Sequence, residues 1–163
     1  MNPPSTLTPY DEELLARAVD LASANVASGG GPFGAVVRTA DGRLVDGTNR
    51  VTATLDPTAH AEVMAIRAAC QELGTFELTG AVLYASCEPC PMCLASALWA
   101  RVDRVVFAAD RADAARAGFD DAAFYEFFES PGHRALLPTE QSRPAQALEP
   151  FEAWQALEDR TEY

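Results

Sequence analysis

The sequence contains no lysine, and its 12 basic residues, all arginine, face 24 acidic ones, which gives a formal net charge of −12. No stretch of the chain is rich in arginine. Proteins that bind a nucleic-acid backbone or an anionic membrane surface need clustered positive charge. The charge pattern therefore disfavours nucleic acid and membrane as partners, and it favours a small, nearly neutral ligand.

Long apolar runs are also missing from the chain. No uninterrupted apolar run approaches the roughly 18 residues that a membrane span requires. The first 20 residues show no basic region followed by an apolar one, so we expect no secretory signal and a cytoplasmic protein. The size of 163 residues, with 48% hydrophobic and 22% charged residues, suits one globular domain over residues 1–163.

Cysteine is scarce, with four residues in the chain, which is few for a disulfide scaffold of this size. Cytosolic thiols stay reduced, so clustered cysteines in such a protein indicate a metal site or catalysis. Three of the four lie three residues apart in "SCEPCPMCLASALWAR", residues 86–101. These are Cys87, Cys90 and Cys93, and the fourth, Cys70, lies among alanines and is expected to be a small core residue.

The order of the predicted elements indicates the fold class. Thr8 followed by Pro9 predicts the start of a first helix, and Asp41-Gly42 predicts a hairpin between two β-rich runs. A helix over residues 55–73, a short apolar strand, a helix from Pro91, another strand and further helices follow. This order predicts an α/β protein with a three-layer α/β/α sandwich.

Two cysteines and one histidine are candidate zinc ligands. Pro91 suits the first turn of a helix, and Cys90 and Cys93 then lie on one face of that turn. His60 starts the preceding predicted helix, and a strand between the two helices brings both N-termini to one edge of the sheet. Three protein ligands leave a fourth position for water, which is typical of a catalytic zinc.

Glu62 is the candidate catalytic residue. Its side chain diverges from that of His60 because helical residues turn by about 100° each. It is therefore expected to lie beside the zinc-bound water without ligating the metal. A carboxylate in that position can act as a general acid and base.

Two other interpretations of the cysteines stay open. Cys87 can be a fourth ligand, which would make the zinc structural and the protein an interaction module instead of an enzyme. Cys90 and Cys93 can also form a redox pair, but that leaves His60 and Glu62 without a role.

"HAE" followed by "PCPMC" resembles the signature of the zinc-dependent nucleobase and nucleoside deaminases of the cytidine deaminase superfamily. The stretches "GPFGAVV", "TNRV", "DPTAHAEV", "LYASCEPCPMCLASALWAR", "AARAGFDDAAFYE" and "EPFEAWQALEDRTEY" resemble the bacterial guanine deaminases of that superfamily. The resemblance implies a central mixed sheet of about five strands and one zinc ion per chain. It also implies hydrolysis of a cyclic amidine C–N bond, which converts guanine to xanthine and ammonia in purine metabolism.

The same resemblance implies a homodimer in which the C-terminal segment, about residues 130–163, is exchanged between subunits and closes the partner's site. It also implies substrate-binding roles for six residues: Phe33, Asn49, Ala61, Trp99, Asp121 and Tyr163. Asp120 is an alternative to Asp121. Guanosine, cytosine, another aminopurine, a pterin or an aminotriazine stay open as alternative substrates.

Overall fold

The computed structural model describes residues 7–162, so Tyr163 lies outside the described residues. The chain divides after Tyr125 into two compact units. The first unit holds the sheet and the candidate site, and the second runs from Glu126 to the C-terminus. Among the described helices, none is both long and apolar enough to cross a membrane.

The sheet is mixed and has four strands in the order β2-β1-β3-β4. Strand β1 pairs antiparallel with β2 and with β3, whereas β3 and β4 are parallel. The Asp41-Gly42 turn joins β1 to β2, which confirms the predicted hairpin. The strands are β1 (Gly34–Arg38), β2 (Leu44–Thr48), β3 (Val82–Cys87) and β4 (Arg104–Ala109).

Seven α-helices and one 3-10 helix are described. Thr8 caps the first helix as predicted, because its side chain accepts a hydrogen bond from the Asp11 N–H, while the Asp11 side chain accepts one from the Thr8 N–H. The α-helices are α1 (Pro9–Ala27), α2 (Val51–Thr54), α3 (Ala61–Leu73), α4 (Pro91–Trp99), α5 (Arg111–Arg116), α6 (Ala122–Glu129) and α7 (Glu149–Ala156), and the 3-10 helix covers Pro131–Leu136.

Alternate residues of the central strands face different helices. Val36 and Tyr84 lie in a buried cluster with Leu14 of α1. Val37 and Leu83 lie in a second cluster, with residues of α3 and α4. Because neighbouring side chains of a strand point to opposite faces of the sheet, helices cover both faces. The predicted three-layer α/β/α sandwich is confirmed.

The described residues form four strands, where about five were expected. The four correspond to the four β-rich runs of the sequence, and the fifth was an expectation from resemblance alone. After β4 the described chain forms only helices and irregular segments. Proline recurs there at positions 131, 138, 144 and 150, and a strand interior disfavours proline because it has no N–H to donate.

The third helix begins later than the sequence indicated. The prediction placed its start near Pro57, but the helix begins at Ala61. Asp56 causes the delay, because its Oδ1 accepts hydrogen bonds from the backbone N–H and the hydroxyl of Thr58 at 2.8 and 2.7 Å. This local turn competes with helix formation. It leaves His60 as the residue that precedes the helix.

Two glycines let helices lie directly on strands at one end of the sheet. A Cβ added to Gly34 would lie 2.3 Å from the carbonyl oxygen of Ala18 in α1. A Cβ added to Gly47 would lie 2.3 Å from the carbonyl oxygen of Ala61 in α3. Since such distances are too short for carbon, both helices are held close to the strands at the end of the sheet that carries the candidate site.

A buried carboxylate ties α1 to the sheet. Asp11 is only 4% exposed. The Tyr84 hydroxyl donates to Asp11 Oδ1 at 2.7 Å, and the Arg104 guanidinium donates to the same oxygen at 3.2 Å. The backbone hydrogen bond from Thr8, with these contacts, holds the pKa of Asp11 well below its ordinary value. Asp11 is therefore a buried anion with its charge satisfied.

The second unit contains the end of α6, the 3-10 helix and α7. Phe127 and Phe128 meet edge to face there, with ring centres 5.1 Å apart. On α7 and at its end, Phe151 and Leu157 are exposed.

Candidate active site

Three side chains from two helices converge at one end of the sheet. His60 Nδ1 lies 3.6 Å from Cys90 Sγ and 3.5 Å from Cys93 Sγ. The three candidate ligand atoms all lie within 4.8 Å of one another. In a tetrahedral zinc site, Zn–N bonds of about 2.0–2.1 Å and Zn–S bonds of about 2.3 Å separate nitrogen from sulfur by about 3.6 Å. The residues therefore fit a zinc ion with three protein ligands.

The helix starts explain this convergence. His60 precedes the first residue of α3, and Cys90 precedes the first residue of α4, both with extended backbone. Pro91 occupies the first position of α4, as the sequence predicted, and Cys93 follows in the first turn. Strand β3 lies between the two helices in the chain and brings both N-termini to the same edge. The exposed N–H groups of helix N-termini favour thiolates.

Hydrogen bonds among these groups favour one thiolate. The Cys93 thiol and His60 lower the pKa of Cys90 to about 4, against the opposing effect of burial. The hydrogen bond with Cys90, followed by burial, raises the pKa of Cys93. The same Cys90 contact raises the pKa of His60. A zinc ligand must bind as a thiolate or a neutral imidazole, so Cys93 and His60 have to give up their protons when a metal binds.

Cys87 is not part of this group. It is the last residue of β3, and its Sγ donates to the carbonyl oxygen of Asp110 at 3.7 Å. Burial is the main cause that raises its pKa to about 11. The described residues thus offer a zinc ion two thiolates and one imidazole, which favours the three-ligand interpretation over a closed structural site.

Glu62 lies beside the metal ligands in the first turn of α3. It is 8% exposed, and burial is the main cause that raises its pKa. Interactions with Cys93 and with the charge of His60 oppose this shift and lower its pKa. The structure therefore brings the predicted catalytic carboxylate to the predicted ligands, in an environment that favours proton exchange.

Phe33 directly precedes β1 and Asn49 directly follows β2, and the two residues lie next to each other. The Asn49 N–H donates to the Phe33 carbonyl oxygen at 3.1 Å. The Phe33 ring meets Phe119 edge to face at 5.0 Å. The fully buried Ala61 starts α3 between His60 and Glu62, so its N–H belongs to the helical turn whose donors have no partner within the helix.

The structure distinguishes Asp120 from Asp121. Asp120 is exposed, and its Oδ1 accepts a hydrogen bond from the Ala122 N–H at 3.0 Å, which occupies it at the start of α6. Asp121 is half-buried. Burial, and then the negative charge of Cys90, raise its pKa. Of the two aspartates, Asp121 is therefore the one whose pKa is affected by the charge of the candidate ligand Cys90.

Trp99 lies apart from this group of residues. It is the last residue of α4 and is 66% exposed, with the Arg101 guanidinium 6.0 Å from its ring centre. Its role as an apolar wall of the pocket stays a prediction, as does the role of Tyr163.

The sequence interpretation missed a group of residues around the cysteine loop. Arg111 donates to both carboxylate oxygens of Glu88, through its backbone N–H and its side chain. Its guanidinium also lies 3.9 Å from the ring centre of Tyr125. The Tyr125 hydroxyl donates to the carbonyl oxygen of Pro89 at 2.7 Å. We call Glu88, Arg111 and Tyr125 the loop clamp, because they hold the residues that lead to Cys90.

Asn25 was also missed, as was Phe119. Phe119 could have been found, because it precedes the aspartates in the "GFDD" stretch that carried the resemblance. Asn25 had no signal in the sequence. It lies in the last turn of α1, 24 residues from its partner Asn49, and nothing local predicts that contact.

Comparisons with known proteins agree with this geometry. The family described as the cytidine and deoxycytidylate deaminase zinc-binding region matches residues 8–109. The guanine deaminase of Bacillus subtilis (strain 168) is 47% identical over 153 residues, which are 93% of this chain and 98% of that protein.

Solved structures show the same similarity. The crystal structure of the Bacillus subtilis guanine deaminase matches with a TM-score of 0.88 and 48% identity, over 93% of this chain and 98% of that one. A structure of the protein NE0047 in complex with 2,6-diaminopurine matches with a TM-score of 0.64 and 32% identity, over 93% of this chain and 74% of that one.

Proposed function

The chain belongs to the family of cytidine and deoxycytidylate deaminases, and from this membership we propose that it deaminates guanine to xanthine and ammonia. The observation that carries the proposal is the buried Glu62 beside His60, Cys90 and Cys93. The Bacillus subtilis guanine deaminase, which matches over nearly its whole length, supports guanine as the substrate.

His60, Cys90 and Cys93 would hold a zinc ion, which when bound would supply an activated water as the nucleophile. Glu62 accepts a proton from this water as the oxygen attacks C2 of guanine, the carbon that bears the exocyclic amine. Glu62 then delivers this proton to the ring nitrogen. It takes the second proton from the new hydroxyl group on C2 and delivers it to the amine, which leaves as ammonia as the C2 carbonyl forms. Because burial raises its pKa, Glu62 holds a proton more readily than an exposed carboxylate, which suits a group that both accepts and returns protons.

The proposed substrate contacts come from segments that precede, adjoin and follow the candidate metal ligands in the sequence. Asn49 hydrogen-bonds to the purine edge, and Phe33 packs against the ring. The backbone of Ala61 lies at the start of α3 and offers a further polar group. Asp121 accepts hydrogen bonds from the N–H groups of guanine, and its closeness to Cys90 supports that role.

We also propose a homodimer with an exchanged C-terminal segment, in which Trp99 completes the pocket wall and Tyr163 caps the partner's site. The separate second unit supports this, because Phe151 on α7 and Leu157, which follows α7, are exposed within it. Leu98, beside Trp99 on α4, is 74% exposed, and a second copy of the chain would cover such apolar side chains. A cytoplasmic location completes the proposal, and the four free cysteines support it.

Ammonia release tests the proposal. Zinc-loaded protein is assayed in parallel with guanine, guanosine, cytosine and adenine, and zinc content is measured on the same sample. We expect guanine to give the highest kcat/KM and xanthine to be the product by chromatography. If cytosine or guanosine were turned over faster than guanine, the proposed substrate would be wrong but the proposed deamination reaction would stand. One zinc per chain without turnover of any of the four compounds would contradict the proposal.

A further inference from the structure

Asn25 connects two segments that carry proposed substrate contacts. It lies in the last turn of α1 and is only 7% exposed. Its side-chain nitrogen donates to the carbonyl oxygen of Gly31 at 2.8 Å and to that of Asn49 at 2.9 Å. An amide nitrogen has two hydrogens, so both are used, one on each segment.

The two segments lie side by side and lead to the site. Gly31 precedes Phe33 by two residues, and the Asn49 N–H donates to the Phe33 carbonyl oxygen at 3.1 Å. The Asn49 side chain is oriented in turn, because its Oδ1 accepts a hydrogen bond from the Val51 N–H at 3.3 Å. Asn25 therefore holds the backbone of Asn49 directly. It reaches Phe33 only through Gly31, whose carbonyl oxygen also accepts a hydrogen bond from the Phe33 N–H at 2.9 Å.

Two of the three consecutive glycines at 29–31, Gly30 and Gly31, lie beside the side-chain amide of Asn25. The Gly30 N–H donates to the Asn25 backbone oxygen at 2.8 Å. A Cβ added to Gly30 would lie 2.4 Å from the Asn25 side-chain nitrogen, which is far closer than real contacts. All three of the nearest atoms belong to the Asn25 side chain. The closest contacts of a methyl group at position 30 would thus be with the Asn25 side chain.

We propose that Asn25 is a positioning residue for substrate binding, which fixes Phe33 and Asn49 through the backbone. This inference rests on the proposed function, because it takes Phe33 and Asn49 to contact the purine. Asn25 has no place among the metal ligands or beside Glu62. Its loss should therefore weaken the binding of guanine while zinc content and kcat stay close to those of the original protein.

The test compares Asn25→Ala with Ser23→Ala. Ser23 is an exposed residue of the same helix, and its hydroxyl bonds only to Val19 within α1. For Asn25→Ala we expect KM for guanine to rise on the order of tenfold, with kcat within about twofold, because displaced binding groups reduce affinity before they affect chemistry. Ser23→Ala should leave KM, kcat and zinc content unchanged.

A double-mutant cycle with Gly30→Ala separates positioning from general destabilisation. In the original background, the new methyl group collides with the Asn25 amide, so Gly30→Ala should raise KM. In the Asn25→Ala background, the space that the amide leaves can take the methyl group. Gly30→Ala should then add little, and the two changes should be strongly non-additive.

Binding to a Glu62→Gln background gives the same comparison without turnover. Guanine is titrated by calorimetry into zinc-loaded Glu62→Gln protein that carries Asn25→Ala, Ser23→Ala or Asn49→Ala. We expect weaker binding for Asn25→Ala and Asn49→Ala, and unchanged binding for Ser23→Ala.

The outcomes keep the two proposals apart. If Asn49→Ala weakens guanine binding but Asn25→Ala changes only the melting temperature, the positioning role is overturned and the proposed function stands. If Asn49→Ala leaves binding unchanged, the substrate contact that both proposals share is overturned. Additive effects of Asn25→Ala and Gly30→Ala would also overturn the positioning role.

Discussion

The hydroxyl of Tyr125 donates to the carbonyl oxygen of Pro89 at 2.7 Å, directly before the candidate zinc ligand Cys90. The aromatic ring of Tyr125 also lies 3.9 Å below the guanidinium of Arg111, which holds Glu88 with its side chain and backbone. The loop clamp therefore fixes two consecutive residues ahead of the ligand. Groups that orient metal ligands in this way often contribute tenfold or more to metal affinity.

Tyr125→Phe should release zinc faster than the original protein, because the ring stays on Arg111 while the hydrogen bond to the loop is lost. One lost hydrogen bond of about 1 kcal/mol corresponds to roughly fivefold faster release. Zinc transfer to a coloured chelator measures the rate. Tyr10→Phe, at an exposed position of α1, is the control and should match the original protein. Equal rates of zinc release from all three proteins would show that the Tyr125 hydrogen bond of the loop clamp does not help to retain the metal.

Glu62→Gln should keep one zinc per chain and lose deamination by a factor of roughly 10²–10⁴, the usual contribution of general acid–base catalysis. Gln keeps the size of the side chain but cannot exchange the proton. Glu72→Gln, on the exposed side of the same helix, should retain full activity. Metal analysis and ammonia release are measured on the same preparations. An active Glu62→Gln protein would show that another group moves the proton.

Asp121→Asn should raise KM for guanine about tenfold or more, because an amide would place a donor opposite the N–H groups of the substrate, where a carboxylate accepts. Asp120→Asn is the matched control. Asp120 caps the start of α6 through Ala122, and asparagine serves equally well as a cap. Steady-state kinetics of both variants decide between the two aspartates. A larger KM effect for Asp120→Asn would reverse the assignment.

Asp11→Asn should destabilise the protein more at neutral pH than in acid. The hydrogen bonds of Asp11 hold its pKa below the unfolded value of about 3.9. Its charge therefore stabilises the fold fully above that pH, and this stabilisation declines gradually as the pH falls from there towards the lower pKa of the folded state. Near pH 7 we expect a loss of about 1–3 kcal/mol, since Tyr84 and Arg104 lose a buried anionic partner.

Thermal unfolding from pH 7 down to pH 3 measures this difference. The gap between Asp11→Asn and the original protein should shrink at the acid end. Asp20→Asn, exposed on the same helix, should follow the original protein throughout. A constant gap at every pH would mean that the charge of Asp11 does not contribute.

Mixed dimers should reveal whether the tail closes the site in trans. One chain carries Glu62→Gln with an intact C-terminus, and the other keeps Glu62 but lacks residues 157–163. Each alone should be inactive. If the intact tail covers the partner's site, the co-expressed pair regains activity, because one site then has both Glu62 and a tail. No recovery from a confirmed mixed dimer would indicate closure within one chain.

Much of the fold was predictable because the signals were local. Thr8 caps the first helix, and Pro91 opens the helix of the cysteines. His60, Glu62 and the two cysteine ligands follow a spacing that places them at helix starts, so the centre of the site could be predicted as well. The signals that predict these helix starts lie within a few positions of each residue in the sequence.

The supporting residues could not be predicted, because their partners are distant in sequence. Arg111 and Glu88 are 23 residues apart, and Asn25 and Asn49 are 24 apart. Exposed arginines and asparagines occur in every sequence without such roles. The late start of α3 was missed for another reason, since the Asp56 turn overrides the apolar pattern that continued through Pro57.

Gly34 and Gly47 make a prediction about mutational tolerance. Gly34 pairs with Thr48 and Ala35 with Gly47, so the two glycines lie on adjacent strands. Helix α1 packs against Gly34 on one face of the sheet, and α3 packs against Gly47 on the other. At both positions size is the limit, because the backbone of a helix occupies the space that a Cβ would need. A saturation library should accept only glycine there, and the end of the sheet that carries the catalytic centre should be the least free to evolve a wider pocket.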